Sequence, residues 1–239
     1  MIQPITAGSF LPSRTMASAL EDVIRRDIIT GAFSPGMKLR VRELGERYDA
    51  GPIPLREALS RLCASGLVVA VDQKGFRVAE VSLKELEDIT RTRQEIERLA
   101  ITRAIEDKDP QWEGELLSAH HQLQQFPVYQ SDRSDKVNPD WERAHTRFHE
   151  TLTAGCKSEW LVYFASILRD QTARYRHLSA AAPRAHDRDL ASEHAGIVKA
   201  VLDHDAPLAS RLLTDHFGRT TMLVVAALNP LLNPTERLA

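Results

Sequence analysis

The chain has 239 residues, 43% of them hydrophobic and 27% charged, with two cysteines, nine histidines and a net charge of −2. That profile fits one large or two modest soluble domains and excludes a disordered, collagen-like or disulfide-stapled chain. The longest apolar run, Met222 to Leu228, is far below the ~20 residues of a membrane span, and Met1 to Leu11 lacks the basic start and apolar stretch of a secretory signal. The expectation is a cytoplasmic protein with no membrane partner.

Charge is unevenly spread. Residues 1–80 hold 11 Lys and Arg against 9 Asp and Glu, whereas the remainder holds 20 against 24. Cationic character is therefore local to the N-terminal third, as expected of a chain in which only one domain approaches phosphate. Cys63 and Cys156 each sit in a helical apolar pattern with no CxxC spacing, so they read as buried small hydrophobes.

Leu20, Val23, Ile24 and Ile28 follow helical spacing, Gly31 is placed to end that helix, and Phe33-Ser-Pro-Gly36 reads as a tight turn. A short helix fits Val41 to Tyr48. After Asp49-Ala-Gly-Pro52 a third begins near Pro54, buries Leu55, Leu59 and Leu62, and closes at Gly66. Val68–Val71 and Phe76–Val78, joined by Asp72-Gln-Lys-Gly75, read as a hairpin. Ser82-x-x-Glu85 has the form of a capping box and marks a boundary. Beyond it helices fit about 83–107, 110–126, 139–155, 158–180, 186–204 and 206–228, with Asp109-Pro110 and Asn138-Pro139 signalling two starts and residues 127–138 forming the longest loop.

The fold class is thus mainly α: a winged helix-turn-helix of three helices and a β-hairpin wing, joined to an all-α antiparallel helical bundle. Residues 1–12 are expected to be a flexible N-terminus, 13–80 the winged helix-turn-helix, and 81–239 an all-helical domain, whose effector-binding and dimerisation role is what its resemblance to a known family implies. A helix-turn-helix places its second helix in the major groove of double-stranded DNA, and a dimer reads an inverted repeat. Arg56 lies off the Leu55/Leu59/Leu62 face, with Ser60 one turn on along the same side. Arg40 and Arg42 flank the start of the supporting helix, and Lys74 and Gly75 tip the wing. These six are the candidate DNA-binding residues.

The run Asp27-Ile-Ile-Thr-Gly-Ala-Phe-Ser-Pro-Gly-Met-Lys-Leu39, then Arg42-Glu-Leu44, Pro54-Leu-Arg-Glu-Ala-Leu-Ser-Arg-Leu62 and Gly66-Leu-Val68, resembles the DNA-binding domain of the GntR family of transcription regulators. The resemblance implies that Arg42 and Arg56 contact phosphate or bases and that Gly75 belongs to the wing. That family usually carries Ser-Arg or Thr-Arg where this chain has Gly51-Pro52. The base-reading arginine is absent, so binding leans on Arg40, Arg42 and Arg56.

In the second half, His145 and His149 lie i and i+4 on one helix, a spacing that lets a helix clasp a metal ion through two rings. His194 and His216 lie on later helices that bundle packing could bring to the same point. On spacing alone, ordinary surface or core histidines compete with a metal site. Residues 83–228 resemble the FadR C-terminal domain, the ligand-binding domain of one GntR subfamily, through Arg93-Gln-Glu-Ile-Glu97, Phe148-His-Glu-Thr-Leu152, Glu193-His194-x-x-Ile197 and His216. Many members hold a divalent metal through one Asp and three His. By resemblance the three map to His149, His194 and His216, and His145 stands where the Asp would be. The all-imidazole set implies Zn²⁺ or Ni²⁺ rather than Mn²⁺. Glu193 and Glu150 are candidate acceptors for the outer ring nitrogens.

A small carboxylate effector would meet Arg93, Arg174 and Arg176, because guanidinium forks match carboxylate geometry; an i,i+4 pair of Arg93 with Glu97 is the competing role. Ala154-Gly-Cys-Lys-Ser-Glu-Trp-Leu161 and Arg174-Tyr-Arg-His-Leu-Ser179 resemble the CsiR-like branch, which points to a C4 or C5 dicarboxylate such as glutarate. The whole reading is a ligand-responsive repressor acting as a homodimer. Its rivals are a metal-dependent hydrolase on the bundle, for which no carboxylate stands at obvious general-base spacing, and a DNA-binding protein whose helical domain only dimerises.

Overall fold

A computed structural model describes residues 15–130, 137–178 and 188–232, with side chains described through Asn229. The expected flexible stretch 1–12 lies outside them. The chain divides into two compact units, with the main boundary between Ala79 and Glu80; the short Ile29–Pro35 segment groups with the second.

In the first unit α1 (Met16–Ile29) buries Ala17, Leu20, Ile24 and Ile28, one per turn on a single face. Helix α2 (Val41–Tyr48) buries Leu44 and stops where Asp49 takes a left-handed conformation with φ 49°. Helix α3 (Pro52–Ala64) buries Leu55, Ala58, Leu59 and Leu62. It starts at Pro52, two residues before the expected Pro54. Both prolines fit inside the first turn, where no intrahelical acceptor exists for their missing N–H groups.

The hairpin of β2 (Val68–Val71) and β3 (Gly75–Val78) turns through Gln73 and Gly75, both at positive φ. A two-residue strand, β1 (Lys38–Leu39), adds antiparallel to β3 with Leu39 opposite Phe76, giving the order β1-β3-β2. Two residues carry no detectable alternation, so this third strand has no signature in the sequence.

The second unit contains α4 (Leu83–Asp107), α5 (Pro110–Gln124), α6 (Pro139–Ala154), α7 (Glu159–Leu178), α8 (Leu190–Leu202) and α9 (Ala206–Leu232). Helix α4 lies against α7 and α9, and α5 against α6 and α8. Their shared core includes Ile101, Trp112, Leu116, Phe148, Leu152, Ile197 and Leu213. The expected caps form: Asp109 accepts from Gln111 N–H at 3.0 Å and Asn138 from Asp140 N–H at 3.0 Å. Asp189 caps α8 from Ser192 N–H at 2.9 Å.

At the start of α4 only half of the capping box is built. Ser82 Oγ accepts from Glu85 N–H at 3.1 Å, but the Glu85 carboxylate does not return to the Ser82 backbone. The fully buried Tyr175 of α7 stands between them: Ser82 N–H donates to its hydroxyl oxygen at 3.2 Å, and the hydroxyl donates to Glu85. No described helix is long and apolar enough to cross a membrane.

Gly155, just after α6, leaves no room for a side chain, since a Cβ there would lie 2.6 Å from the Trp112 indole. Gly114, inside α5, has nothing within 4 Å of that position. In urea denaturation Gly155→Ala should destabilise by about 1–3 kcal/mol through overpacking. Gly114→Ala should instead stabilise by roughly 0.5–1 kcal/mol through helix propensity.

Candidate metal centre and ligand cavity

Helix α6 places His145 and His149 one turn apart on the face it buries, with Nε2 atoms 3.2 Å apart. His194 comes from the first turns of α8 and His216 from α9, and ring centroids of 4.8 Å separate these two. One nitrogen from each of the four rings lies within 4.8 Å of the others, and all four residues are buried. The sequence-predicted quartet is therefore brought together.

Burial holds the rings of His145, His149 and His194 well below the ordinary imidazole pKa of 6.5, with neighbouring imidazoles and guanidinium groups adding to the effect. Burial likewise drives His216 down to about 4, although the adjacent Glu193 carboxylate opposes the shift. All four are neutral at physiological pH, which is the ligating form. His216 Nδ1 lies 2.9 Å from Glu193 Oε2, so Glu193 fixes that ring with Nε2 free to ligate. Glu150, the other candidate acceptor, is exposed. Trp141 stacks on His145 at 4.4 Å.

His194 Nε2 and His149 Nδ1 are buried without a hydrogen-bond partner. His149 already turns its Nε2 toward His145, so it is the stranded His194 Nε2, beside rings held neutral, that fits a divalent ion preferring nitrogen ligands.

His145, His149 and His216 of the cluster line a cavity of about 80 Å³, with His194 behind them in the cluster. A water needs about 10–15 Å³ on this measure, so the cavity admits a molecule of several heavy atoms. Arg93, Arg176 and Arg188 line it, together with the hydroxyls of Thr90, Thr172, Thr220 and Thr221 and an apolar wall of Val128, Trp141, Phe217 and Val224. Each arginine is held by its own carboxylate. Arg93, only 4% exposed, donates to Glu97 at 2.6 Å and to Thr172 at 2.7 Å, and lies 3.9 Å above the Phe217 ring. Its i,i+4 pairing with Glu97 and its place in the cavity wall thus coexist, and burial makes the pair costly to break from one side.

Arg176 pairs with Glu142, whose carboxyl is buried, which alone would raise its pKa, yet sits at about 2 because Arg176 and His177 outweigh burial. Arg188 donates to Glu193 at 2.9 Å, to Thr220 at 2.7 Å and to the His216 carbonyl at 2.9 Å.

Arg174 does not reach the cavity. Two residues along a helix rotate a side chain by about 200°, so Arg174 and Arg176 face opposite ways. Arg174 is buried beside Glu85 at 3.4 Å, above the Tyr175 ring at 5.2 Å. Arg188 takes the place expected of Arg174, and no periodicity could have singled it out, since it precedes the α8 cap. Val128, Tyr129 and Val137 also line the cavity; a bridge between Tyr129 and Val137 brings two ends of the expected loop against it.

In the first unit Arg56, Ser60, Lys74 and Gly75 are all exposed. Arg56 has no side-chain partner among the described residues. Arg40 pairs with Glu43 at 2.6 Å, and Arg42, its side chain 84% exposed, lies 3.8 Å from Glu46. Glu57 pairs with Arg61, which also bonds Ser18 of α1, and Ile53, Arg56 and Ser60 lie beside that pair on the exposed face of α3.

Residues 16–78 match the family model for bacterial regulatory proteins of the gntR family, and residues 88–219 match the FCD domain model. The HTH-type transcriptional repressor GlaR of Escherichia coli K12 is 37% identical over 196 residues, covering 81% of this chain and 88% of that protein. The HTH-type transcriptional regulator BphR of Paraburkholderia xenovorans LB400 is 32% identical, covering 88% and 86%. The solved structure of Escherichia coli McbR/YncC shares the fold with a TM-score of 0.74 at 21% identity, over 89% of this chain and 98% of that one. The family models and the relatives GlaR and BphR are those of transcriptional regulators, not enzymes, which sets the rival hydrolase reading aside. The chain belongs to the GntR family of transcriptional regulators, in the group that joins the helix-turn-helix domain to an FCD domain.

Proposed function

We propose that the chain is a cytoplasmic repressor that binds a two-fold operator as a homodimer. In this reading it loads one Zn²⁺ or Ni²⁺ at His145, His149, His194 and His216, and senses a small carboxylate, a dicarboxylate such as glutarate. The observation that carries the sensor reading is a cluster of four neutral imidazoles, three of which, His145, His149 and His216, line a cavity also lined by Arg93, Arg176 and Arg188. When bound, the metal supplies a Lewis-acidic position for one carboxylate oxygen.

The chain's own residues do the rest. Three cavity arginines are balanced by Glu97, Glu142 and Glu193, and four neutral rings add no charge. A divalent ion therefore brings uncompensated positive charge, which a doubly anionic ligand answers. The threonine hydroxyls and the arginine forks orient its free end, and Phe217, Val224 and Trp141 cover its carbon chain. On the DNA side α3 enters the major groove through Arg56 and Ser60, while Arg40, Arg42, Lys74 and Gly75 meet the backbone.

A homodimer is supported by an unpartnered aromatic stripe on α7. Trp160, Tyr163 and Phe164 are 70%, 50% and 45% exposed and cluster at centroid distances of 5.7–6.1 Å. At 150–250 Å² per aromatic side chain, they expose about 300–400 Å² of surface. No charged residue interrupts Trp160–Leu168, so two copies related by a two-fold axis would meet there without opposing like charges.

Two measurements test this reading. Elemental analysis of purified protein should find about one Zn²⁺ or Ni²⁺ per chain, and a chelator should lower the melting temperature because the ion binds the folded state. His149→Ala and His194→Ala should lose the metal and the thermal response to glutarate while DNA binding persists. Absence of stoichiometric metal, with both variants behaving as wild type, would sink the metal reading. For the dimer, Trp112 and Trp141 are each 4% exposed, so Trp160 dominates iodide quenching. Dilution from a species of twice the chain mass to one chain should restore that quenching, and Phe164→Glu should give the one-chain species at concentrations where wild type is dimeric.

A further inference from the structure

The tip of α3 is apolar and almost without hydrogen-bond donors. Its first three residues are Pro52, Ile53 and Pro54, and Gly51, the N-cap, has no side chain to bond the first turn. Two of those residues are imides, so Ile53 supplies the single N–H among them. Ile53 is 80% exposed, the most exposed large hydrophobic side chain among the described residues. It lies on the same face as Arg56 and Ser60, opposite the buried Leu55, Leu59 and Leu62. Nothing in its own domain covers it, so packing does not explain a β-branched residue there.

A recognition helix meets base edges with its N-terminal residues. Hydrogen-bond readout from this tip is closed off by the two prolines, and no charged side chain stands in the first turn. The one major-groove feature that an aliphatic side chain recognises is the 5-methyl group of thymine. We propose that Ile53 reads a thymine methyl in each operator half-site, one turn ahead of Arg56. The inference rests on the reading above that α3 occupies the major groove. It assigns to Ile53 a specificity role at a helix start that has almost no hydrogen-bond donors.

The test starts from DNA fragments selected from a random pool by the full-length wild-type chain. Each thymine of the selected half-site is then replaced by deoxyuridine, which removes the methyl group and leaves base pairing unchanged. At one thymine per half-site the substitution should weaken wild-type binding about fourfold, the worth of one buried methyl-sized group. Ile53→Ala should bind thymine and deoxyuridine operators equally, and Ile53→Val should retain most of the discrimination. Arg56→Ala should weaken both operators by about tenfold or more and keep the thymine preference. Because Ile53 is exposed, thermal midpoints of its variants should match wild type.

Indifference of the wild-type chain to deoxyuridine at every position overturns the proposal, as does a preference that survives in Ile53→Ala. A wild-type chain that selects no sequence at all would instead overturn the groove reading beneath it.

Discussion

Four buried imidazoles in one cluster cannot share out protons: a charge on any ring would stand within a few ångströms of three others, in the field of nearby guanidinium groups. Desolvation settles the matter by holding the rings neutral. Much of the second unit follows from that constraint. Each cavity arginine is tied to its own carboxylate, Arg93 to Glu97, Arg176 to Glu142 and Arg188 to Glu193, so that none presses its field unopposed on the rings. Glu193 serves three partners, since it also orients His216 and accepts from Arg219 at 3.2 Å. A carboxylate in place of His145 would bring a negative charge into this balance and change it. The departure at that position is thus matched by the rest of the site, in which every nearby acid is already engaged.

Helix α7 is where the cavity and the start of α4 are mechanically joined. Thr172 and Arg176 face the cavity, while Tyr175, the residue beside Arg176, closes the cap of α4 between Ser82 and Glu85. Burial and the bond to Glu85 push the Tyr175 hydroxyl up to about 12, so it remains a donor at any physiological pH. The side chain is fully buried. Rotation of α7 about its axis would therefore move cavity residues and cap together, because a rigid helix cannot turn one face alone.

Much of this was legible in the sequence where a repeat or a cap carries the signal. Helical spacing located the core faces of α1 and α3, and Asp109-Pro110 and Asn138-Pro139 located two helix starts that the structure builds as read. The i,i+4 pair His145 and His149 was visible for the same reason. Three features were not legible, each for a physical cause. Strand β1 is two residues long and is made by tertiary pairing with β3. The choice between Arg174 and Arg176 depends on the phase of α7, which neighbouring arginines in sequence do not reveal. The Glu85 partner is a tyrosine 90 residues away, whereas a capping box is a local pattern and predicts only the local answer.

The proline-started helices show how one local grammar serves two ends. Helices α5 and α6 also begin with Pro at the first position, but Asp109 and Asn138 precede them and close the exposed N–H groups with side-chain oxygens. Those starts are finished within the chain. Helix α3 begins with Gly51 and carries two prolines in its first turn, so its end is silenced by removing donors rather than by satisfying them. A surface made in that way has no hydration to give up at its imide positions and presents an alkyl group instead. Such a helix start loses little by leaving water, which is what the proposed insertion into a groove would ask of it, and the groove feature it would distinguish is a methyl group.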